Sequence, residues 1–244
     1  MGPISRADGL TGNNLIDSLR PAERNLLVSR LHLWCGAPGK IIYSPGDRVD
    51  WAYFPFDRAM VSYRVTFADG REVETALIGR EGAVGGIVSR GHLPAFALAV
   101  VQFDGCFGRI PLTELEALKA AEPRVDALFH RYADCLLAQI FQAGACNASH
   151  SIEQRAAKWL IAACERIGSD ALAMTQDQLA GLLGVGRSYT SRVIGRFKAE
   201  EIVETRRGRL NVRDRTRLAA VACDCDAAVR NHFERVLEGV YPES

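Results

Sequence analysis

The spacing of hydrophobic residues changes along the 244-residue chain and divides it into a strand-rich part and a helical part. Between residues 39 and 110, short runs of Tyr, Phe, Val and Ile alternate with turn sequences such as SPGD, ADGR and FDGC. Short strands at this spacing, with no helices between them, are typical of a β-barrel or sandwich. In the same region, MVSYRVTF and REVETALIG flank Asp69-Gly70, which predicts a hairpin.

One long helix is predicted from about Ala120 to Cys146, because apolar residues recur there at steps of three and four. Pro123 fits near the start of such a helix. The stripe consists of Val125, Leu128, Tyr132, Leu136, Gln139 and Ala143. It either packs on the chain's own β-domain or forms a coiled-coil-like seam with a second chain. We expect the seam, and therefore a homodimer.

A second helix is predicted at about 152–167, and the stretch QDQLAGLLGVGRSYTSRVIGRFK (176–198) then predicts two helices joined by a short turn. Thr175 and Gln178 have the spacing of a capping box at the start of the first of these helices. Gly184 ends it, and the next helix begins near Arg187.

A helical wheel separates the residues of this last helix into a buried and an exposed face. Thr190, Val193, Ile194 and Phe197 share one arc and are expected to be buried. The opposite face is made of small and cationic residues, namely Arg187, Ser188, Ser191, Arg192, Gly195 and Arg196. Small residues let a helix backbone approach a surface closely, and Arg can bind guanine edges through two hydrogen bonds. The pattern predicts a recognition helix for the DNA major groove.

The segment IVETRRGRLNVRD (202–214) reads as a hairpin with a basic tip that includes Arg207 and Arg209. A solvated loop is the simpler interpretation, but beside a helix-turn-helix such a hairpin is expected to contact the phosphate backbone. The charge distribution agrees with this. The whole chain has a formal net charge of +1, whereas residues 151–217 contain 13 basic and 8 acidic residues, an excess of five. A local basic excess is typical of a surface that binds a polyanion.

Composition sets the expected class and location of the protein. A hydrophobic content of 48% and a charged content of 24% are ordinary for a globular protein. No apolar run reaches the roughly 20 residues needed to span a bilayer, and the first thirty residues lack the apolar core of a signal peptide. We therefore expect a cytoplasmic protein with no membrane partner. The seven cysteines are odd in number and scattered, so we expect no disulfide framework.

After about residue 140 the chain resembles the winged helix-turn-helix of the Crp/Fnr family of bacterial transcription regulators. The most specific pieces are HSIEQRAAKWL, TQDQLAGLLGVGR, RRGRLNVRDRTRL and ACDCD. The resemblance implies an α+β fold with a jelly-roll-like β-roll at 1–120, a dimerisation helix at 121–147, a winged helix-turn-helix at 148–222 and a helical extension at 223–244. It also implies a homodimer on palindromic double-stranded DNA, with RNA polymerase as a further candidate partner.

The resemblance also assigns roles to single residues. The family's base-reading positions fall on Arg187, Ser188 and Arg192, and positions that touch phosphate or sugar fall on Thr175, Gln176 and Tyr189. Family members often have Glu at or near the place of Ser188, so the preferred operator is expected to differ. Glu201 stands where the family commonly has Gly at the end of the recognition helix, which puts the path into the hairpin in doubt.

The family's cyclic-nucleotide pocket corresponds to GREGAVGGIVSRGHLPAFALAVVQ in this chain. Gly86 stands where the ribose-binding Glu would be, and no Arg stands near Pro94 to pair with a phosphate. A buried phosphate without a cationic partner is costly. We therefore expect no usual cyclic-nucleotide binding and no cofactor, and an effector, if one exists, of unknown identity. The candidate effector residues are Gly85, Gly86 and Arg90.

Two remaining patterns bear on metal binding and on catalysis. Cys146 and His150 are spaced like a metal or redox pair, but Cys223 and Cys225 lie two apart on a predicted helix and should point to different faces. We therefore expect buried small residues and no metal site. A cupin-like enzyme would need a cluster of two histidines and a carboxylate, and the β region contains only His92. A sensor that has lost DNA binding is the other alternative, against which the retained Arg187 and Arg192 argue.

Overall fold

The computed structural model describes residues 12–87 and 91–241. Its helices are α1 Asn14–Asp17, α2 Pro21–Val28, α3 Leu112–Ala121, α4 Pro123–Ser149, α5 Ile152–Ile167, α6 Gln176–Leu183, α7 Arg187–Ala199, α8 Arg215–Val221 and α9 Cys225–Val236. Its strands are β1 His32–Gly36, β2 Ile41–Tyr43, β3 Trp51–Pro55, β4 Met60–Thr66, β5 Glu72–Ile78, β6 Leu98–Phe103, β7 Gly105–Pro111, β8 Ala171–Leu172, β9 Val203–Arg206 and β10 Arg209–Val212. None of these helices combines the length and the hydropathy needed to cross a bilayer.

The described chain divides into two compact units. The first contains the residues up to Tyr63, Ala76–Gln139 and the residues from Arg230 onward. The second contains Arg64–Thr75 and Ile140–Val229. The predicted α+β architecture of a β-roll, a long helix and a winged helix-turn-helix is confirmed.

The β-roll is built from a three-stranded sheet, β1-β7-β3, and a four-stranded sheet, β2-β6-β4-β5. The core draws side chains from both sheets, including Tyr53 and Phe107 from the first and Val61 and Val101 from the second. Every residue of β6 is buried. The predicted hairpin is present as β4 and β5, with Gly70 in a left-handed conformation at its turn.

Cys35 and Cys106 are joined by a disulfide. The sequence analysis expected no disulfide framework and did not predict this single pair. The two residues lie 71 positions apart in sequence but face each other directly on the neighbouring strands β1 and β7. This strand register brings the two sulfur atoms together, and the register was not visible in the sequence.

Helix α4 corrects the predicted dimerisation stripe. Val125 and Tyr132 are fully buried in the first unit, where the Tyr132 hydroxyl donates to the carbonyl oxygen of Ala83 at 3.0 Å. Leu136 packs against the β-roll core, and Gln139 donates to the Leu77 carbonyl oxygen at 3.1 Å. Four of the six predicted residues are therefore buried in, or contact, other parts of the same chain. The other two, Leu128 and Ala143, are half-buried.

A different stripe of α4 is apolar and exposed. Leu137, Ile140 and Phe141 are all exposed, and the side chain of Phe141 is 67% accessible. Gly144 continues the same face at a spacing of three residues from Phe141 and is also exposed. Large apolar side chains that adjoin on one helix face are typical of an interaction surface.

In the second unit, three helices end with the same backbone motif. A residue in the left-handed conformation follows the helix, and its amide and the next amide both donate to carbonyl oxygens of the last turn. Gly168 and Gly184 are the left-handed residues after α5 and α6. Glu201 fills that place after α7, with φ of 57°. Its amide donates to the Lys198 carbonyl oxygen at 3.0 Å, and the next amide, of Ile202, donates to the Phe197 carbonyl oxygen at 2.8 Å. Glu201 therefore adopts the conformation expected of the glycine that the family commonly has at this position.

Replacing Glu201 by glycine is expected to stabilise the protein. A left-handed conformation costs a residue with a Cβ atom about 1–2 kcal/mol, and the added freedom of glycine in the unfolded chain offsets about 0.4–1 kcal/mol of the gain. We expect Glu201→Gly to raise the free energy of unfolding by about 0.5–1 kcal/mol, measured from the urea midpoint. Gly168→Ala is the matched control and should lower it, because Gly168 has φ of 62°. A lower midpoint for Glu201→Gly would contradict this interpretation of the turn.

Candidate nucleic-acid interface

Helix α7 divides as the helical wheel predicted. Thr190, Ile194 and Phe197 are fully buried, and Val193 is half-buried. Ile194 and Phe197 supply the apolar surface that orients the helix, because burial of each is worth about 1.5–3 kcal/mol. The polar face is exposed over its whole length, and it carries Arg187, Ser188, Tyr189, Ser191, Arg192, Gly195, Arg196 and Lys198.

Helix α6 precedes α7 and is fixed by the predicted capping box. The Thr175 side-chain oxygen accepts the backbone N–H of Gln178 at 3.1 Å, and the Gln178 side-chain oxygen accepts the backbone N–H of Thr175 at 2.7 Å. Across the turn, the Ser191 hydroxyl donates to Oε1 of Gln176 at 3.2 Å. Gln176 and Ser191, both predicted DNA contacts, are therefore neighbours on the exposed side of the motif.

The turn between α6 and α7 needs glycine at position 184 for two reasons. Gly184 has φ of 66°, which residues with a Cβ atom rarely adopt. A Cβ atom at this position would also lie 2.8 Å from Cγ2 of Val73. Val185, the next residue of the turn, is half-buried.

Arg192 lies over the ring of Tyr189, with the guanidinium carbon 4.3 Å from the ring centroid. This cation–π contact limits the rotamers of Arg192 and leaves its N–H groups available for a ligand. Tyr189 itself is 53% exposed. No carboxylate pairs with Arg192 anywhere in the described ranges.

The other two arginines of the recognition helix have carboxylate partners. Nε of Arg187 lies 2.8 Å from Oδ1 of Asp177. Arg196 contacts Glu153 at 2.9 Å and Glu200 at 3.1 Å, and its hydrogen bond to Glu200 raises its pKa. Exposed pairs of this kind are weak, at about 0–1 kcal/mol. Two partners nevertheless hold Arg196 to its own protein more firmly than one partner holds Arg187.

The predicted basic hairpin is present as β9 and β10, with Arg207 and Gly208 at its tip, and we call this hairpin the wing. Strand β8 adds a third strand that the sequence pattern did not reveal. Arg206 is paired with Glu204 at 2.9 Å. Arg207 and Arg209 are exposed, and no carboxylate within the described residues pairs with either.

A surface cleft lies between the wing and the start of α6. Its lining includes Thr175 and Gln176 on one side and Arg209 on the other. The Arg187 side chain also reaches it. The N-terminus of a helix favours anions because its first amide groups lack partners within the helix. Arginine side chains, the start of α6 and the Asp177 carboxylate that pairs with Arg187 therefore line one cleft.

Comparison with known proteins agrees with this geometry. Residues 154–221 match the family model of the Crp-like helix-turn-helix domain. The chain carries a Crp-like helix-turn-helix domain on a Crp/Fnr fold. A search of curated protein sequences returns no match.

Three solved structures document the Crp/Fnr fold. A transcriptional regulator of the Crp/Fnr family from Eubacterium rectale has a TM-score of 0.66 at 17% identity, over 85% of this chain and 96% of its own. FixK2 from Bradyrhizobium japonicum also has a TM-score of 0.66, at 16% identity, over 79% and 98% of the two chains. A Crp/Fnr-family transcriptional regulator from Thermus thermophilus has a TM-score of 0.64 at 20% identity, over 78% and 97%. These likenesses, all at 20% identity or below, agree with the predicted fold.

The predicted effector residues Gly85 and Gly86 are tightly packed. A Cβ atom at Gly86 would lie 2.6 Å from Cδ1 of Leu112, and one at Gly85 would lie 2.3 Å from the carbonyl oxygen of Trp51. The third predicted residue, Arg90, lies outside the described residues. A larger side chain at position 85 would meet backbone, whereas one at position 86 would require the Leu112 side chain to move.

Two tyrosines occupy the β-roll interior beside these glycines. The Tyr43 hydroxyl donates to the Tyr63 hydroxyl at 2.8 Å, and the Gly85 amide donates to the Tyr63 oxygen at 3.2 Å. Burial raises the pKa of both phenols, so they stay neutral. This interior holds neutral hydroxyl groups in place of the cation that a buried phosphate needs.

The structure corrects the expectation for the cysteines near the end of the Crp/Fnr domain. Helix α9 begins at Cys225, so Cys223 lies before the helix and the two thiols need not diverge. Together with Cys146 and His150 they form a cluster whose ligand atoms all lie within 4.8 Å of one another. Cys146 and Cys223 are far apart in sequence, which is why spacing alone missed the cluster.

Proposed function

We propose that this protein is a sequence-specific transcription regulator that binds double-stranded DNA as a homodimer. The observation that carries the proposal is the exposed face of α7, where Arg192 stands among small residues above a fully buried apolar underside. Serine and glycine neighbours leave room for close approach to the floor of a groove. A DNA ligand also implies a cytoplasmic location, with RNA polymerase as a candidate partner.

Base reading is assigned to the first half of α7. Arg192 is the strongest candidate, because Tyr189 limits its rotamers and it has no competing carboxylate among the described residues. A guanidinium group can donate two hydrogen bonds to O6 and N7 of guanine. Arg187 can do the same after release from Asp177, an exposed pair that is easily broken. Ser188 can donate or accept, so it discriminates less between bases.

Phosphate contacts are assigned to the elements around α7. Thr175 and Gln176 at the start of α6 face the cleft beside the wing. Arg207 and Arg209 place two cations without carboxylate partners on the wing itself, within the part of the chain that the structure describes. Ser191 and Arg196 lie between these groups, and the pairing of Arg196 with Glu153 and Glu200 makes it the weaker contact. Such contacts set register and orientation and carry little sequence information.

Dimerisation is assigned to the exposed stripe of α4, which replaces the stripe predicted from the sequence. Leu137, Ile140, Phe141 and Gly144 recur at steps of three and four residues. A parallel pair of such helices would bury these residues against their copies about a two-fold axis. Two recognition helices related by that axis can enter successive major grooves of a palindromic site.

The effector domain is proposed to work without the usual cyclic nucleotide. Leu112 occupies the space that a side chain at position 86 would need, and neutral tyrosines line the adjacent interior. The hydroxyl that contacts Gly85 belongs to the neutral Tyr63, and the buried Lys119 nearby already donates to the Ile87 carbonyl oxygen at 2.9 Å. The regulator therefore responds to a different ligand or acts without one.

Arg192→Ala is expected to lower affinity for the cognate site by about 1–3 kcal/mol, as for the loss of a two-hydrogen-bond base contact. The site is first selected from genomic DNA with the wild-type chain, and affinity is then measured by fluorescence anisotropy. Non-specific affinity for a scrambled duplex should change much less.

Arg196→Ala is the matched control, since it removes the same charge from a residue already paired with two carboxylates. It should leave the ratio of specific to non-specific affinity near the wild-type value. Equal ratios for the two variants would show that Arg192 does not read a base.

Phe141→Arg is expected to convert the dimer to a monomer, because it places two like charges in an apolar helix pair. Sedimentation of the full chain measures the change. Phe96→Arg is the matched control, since Phe96 is 84% exposed and lies on the β-roll. It should remain dimeric. A dimeric Phe141→Arg chain would contradict the assigned stripe.

A further inference from the structure

A cluster of four potential metal ligands lies in the second unit. Cys146 and His150 lie at the end of α4, with the spacing of one helical turn. Cys223 precedes α9, and Cys225 is its first residue. Three thiols and one imidazole meet within 4.8 Å. Among the described residues this is the one group of three or more such side chains at that distance.

The spacing of the ligand atoms matches one tetrahedral ion. Sγ of Cys146 lies 3.6 Å from Sγ of Cys223, and Sγ of Cys225 lies 3.5 Å from Nδ1 of His150. Two thiolates bound to zinc at about 2.3 Å stand roughly 3.8 Å apart at the tetrahedral angle, and a thiolate and an imidazole nitrogen stand roughly 3.5 Å apart. The thiolates of a four-iron cluster each bind a different iron, and so they stand farther apart than ligands that share one ion.

Groups around the cluster are suited to sulfur atoms that carry negative charge. Nζ of Lys158 donates to Sγ of Cys146 at 3.4 Å, and the Gln142 side-chain amide donates to Sγ of Cys225 at 3.1 Å. Arg155 also interacts electrostatically with Cys146 and Cys223. Three thiolates and one Zn²⁺ leave one excess negative charge, which these cations offset. Hydrogen bonds to ligand atoms are characteristic of metal centres.

The remaining buried cysteines differ from this cluster. Cys164 lies on α5 in the same unit and is fully buried, but its thiol is not part of the group of four ligand atoms. Cys146 and Cys225 are equally inaccessible, yet each receives a donor from a polar side chain. Cys223 and His150 are half-buried, which leaves a route for an ion to enter.

We propose that Cys146, His150, Cys223 and Cys225 bind one Zn²⁺ in a closed, structural site. Four protein ligands leave no open position for water, so the ion has no catalytic role. It would join the end of α4 to the segment before α9, two parts of the chain that lie 77 residues apart. Arg155, beside the cluster, donates to the Leu183 carbonyl oxygen at 2.6 Å, so the site adjoins the end of the first helix of the helix-turn-helix.

Metal content tests the proposal without any DNA. The full chain, purified with a reducing agent, is loaded with Zn²⁺ and dialysed, and metal is counted by mass spectrometry. We expect about one zinc per chain, with tetrahedral coordination by three thiolates. Substitution with Co²⁺ should produce the intense visible absorption of a tetrahedral cobalt thiolate. A chain that retains no zinc and gives no such spectrum would overturn the proposal, including where a Cys146–Cys223 disulfide forms instead.

Variants assign the ligands. Cys223→Ser and Cys225→Ser should each bind zinc at least about tenfold more weakly in competition with a chromophoric chelator. Gln142→Leu removes only the N–H donor to Cys225 and should weaken binding by about 10–100-fold, the usual effect of losing a hydrogen bond to a ligand. Cys164→Ala is the matched control and should bind like the wild type. Equal zinc affinities for Cys164→Ala and Cys223→Ser would overturn the assignment. If a variant fails to fold, the cobalt spectrum of the wild-type chain still tests whether the site binds a metal.

Discussion

The burial of Ile194 and Phe197 beneath α7 is the interaction on which the proposed DNA contacts depend. These two side chains fix the rotation of the helix about its axis, and that rotation decides which residues face outward. With both fully buried, Arg192 and its small neighbours must lie on the exposed side. A rotation by one residue, about 100°, would turn Arg192 away from any groove. The buried apolar face of α7 therefore determines which side chains its exposed face presents.

The ends of the helices complete this positioning. The capping box at Thr175 starts α6, and left-handed residues end α5, α6 and α7. Gly184 is needed both for its backbone angle and for its closeness to Val73. Glu201 adopts the same left-handed conformation after α7, although its Cβ atom makes that conformation unfavourable. The wing follows this turn, and its residue Arg209 lines the same cleft as Arg187 at the start of α7.

Local patterns predicted local structure well, because they depend on neighbours within a few residues. The capping box, the buried arc of α7, the Asp69-Gly70 hairpin and the basic wing all follow from such short-range rules. The dimer stripe did not, since α4 has apolar residues on more than one face. Periodicity alone cannot say that Tyr132 packs on the chain's own β-roll while Phe141 remains exposed. The Cys35–Cys106 disulfide and the four-ligand cluster were missed for a related reason: they join residues 71 and 77 positions apart, which only the fold brings together.

The salt dependence of binding to a palindromic duplex selected from genomic DNA tests the central claim most directly. Each phosphate neutralised by a cation contributes about −0.9 to the slope of log K against log salt concentration. Arg207 and Arg209 are assigned to phosphate and lack carboxylate partners among the described residues. With two chains per duplex we therefore expect about four phosphate contacts from these residues and a steep negative slope, on the order of −4. We also expect the specific site to be preferred over a scrambled duplex at every salt concentration. Binding that is insensitive to salt, or equal for both duplexes, would contradict the assignment of this surface to DNA recognition.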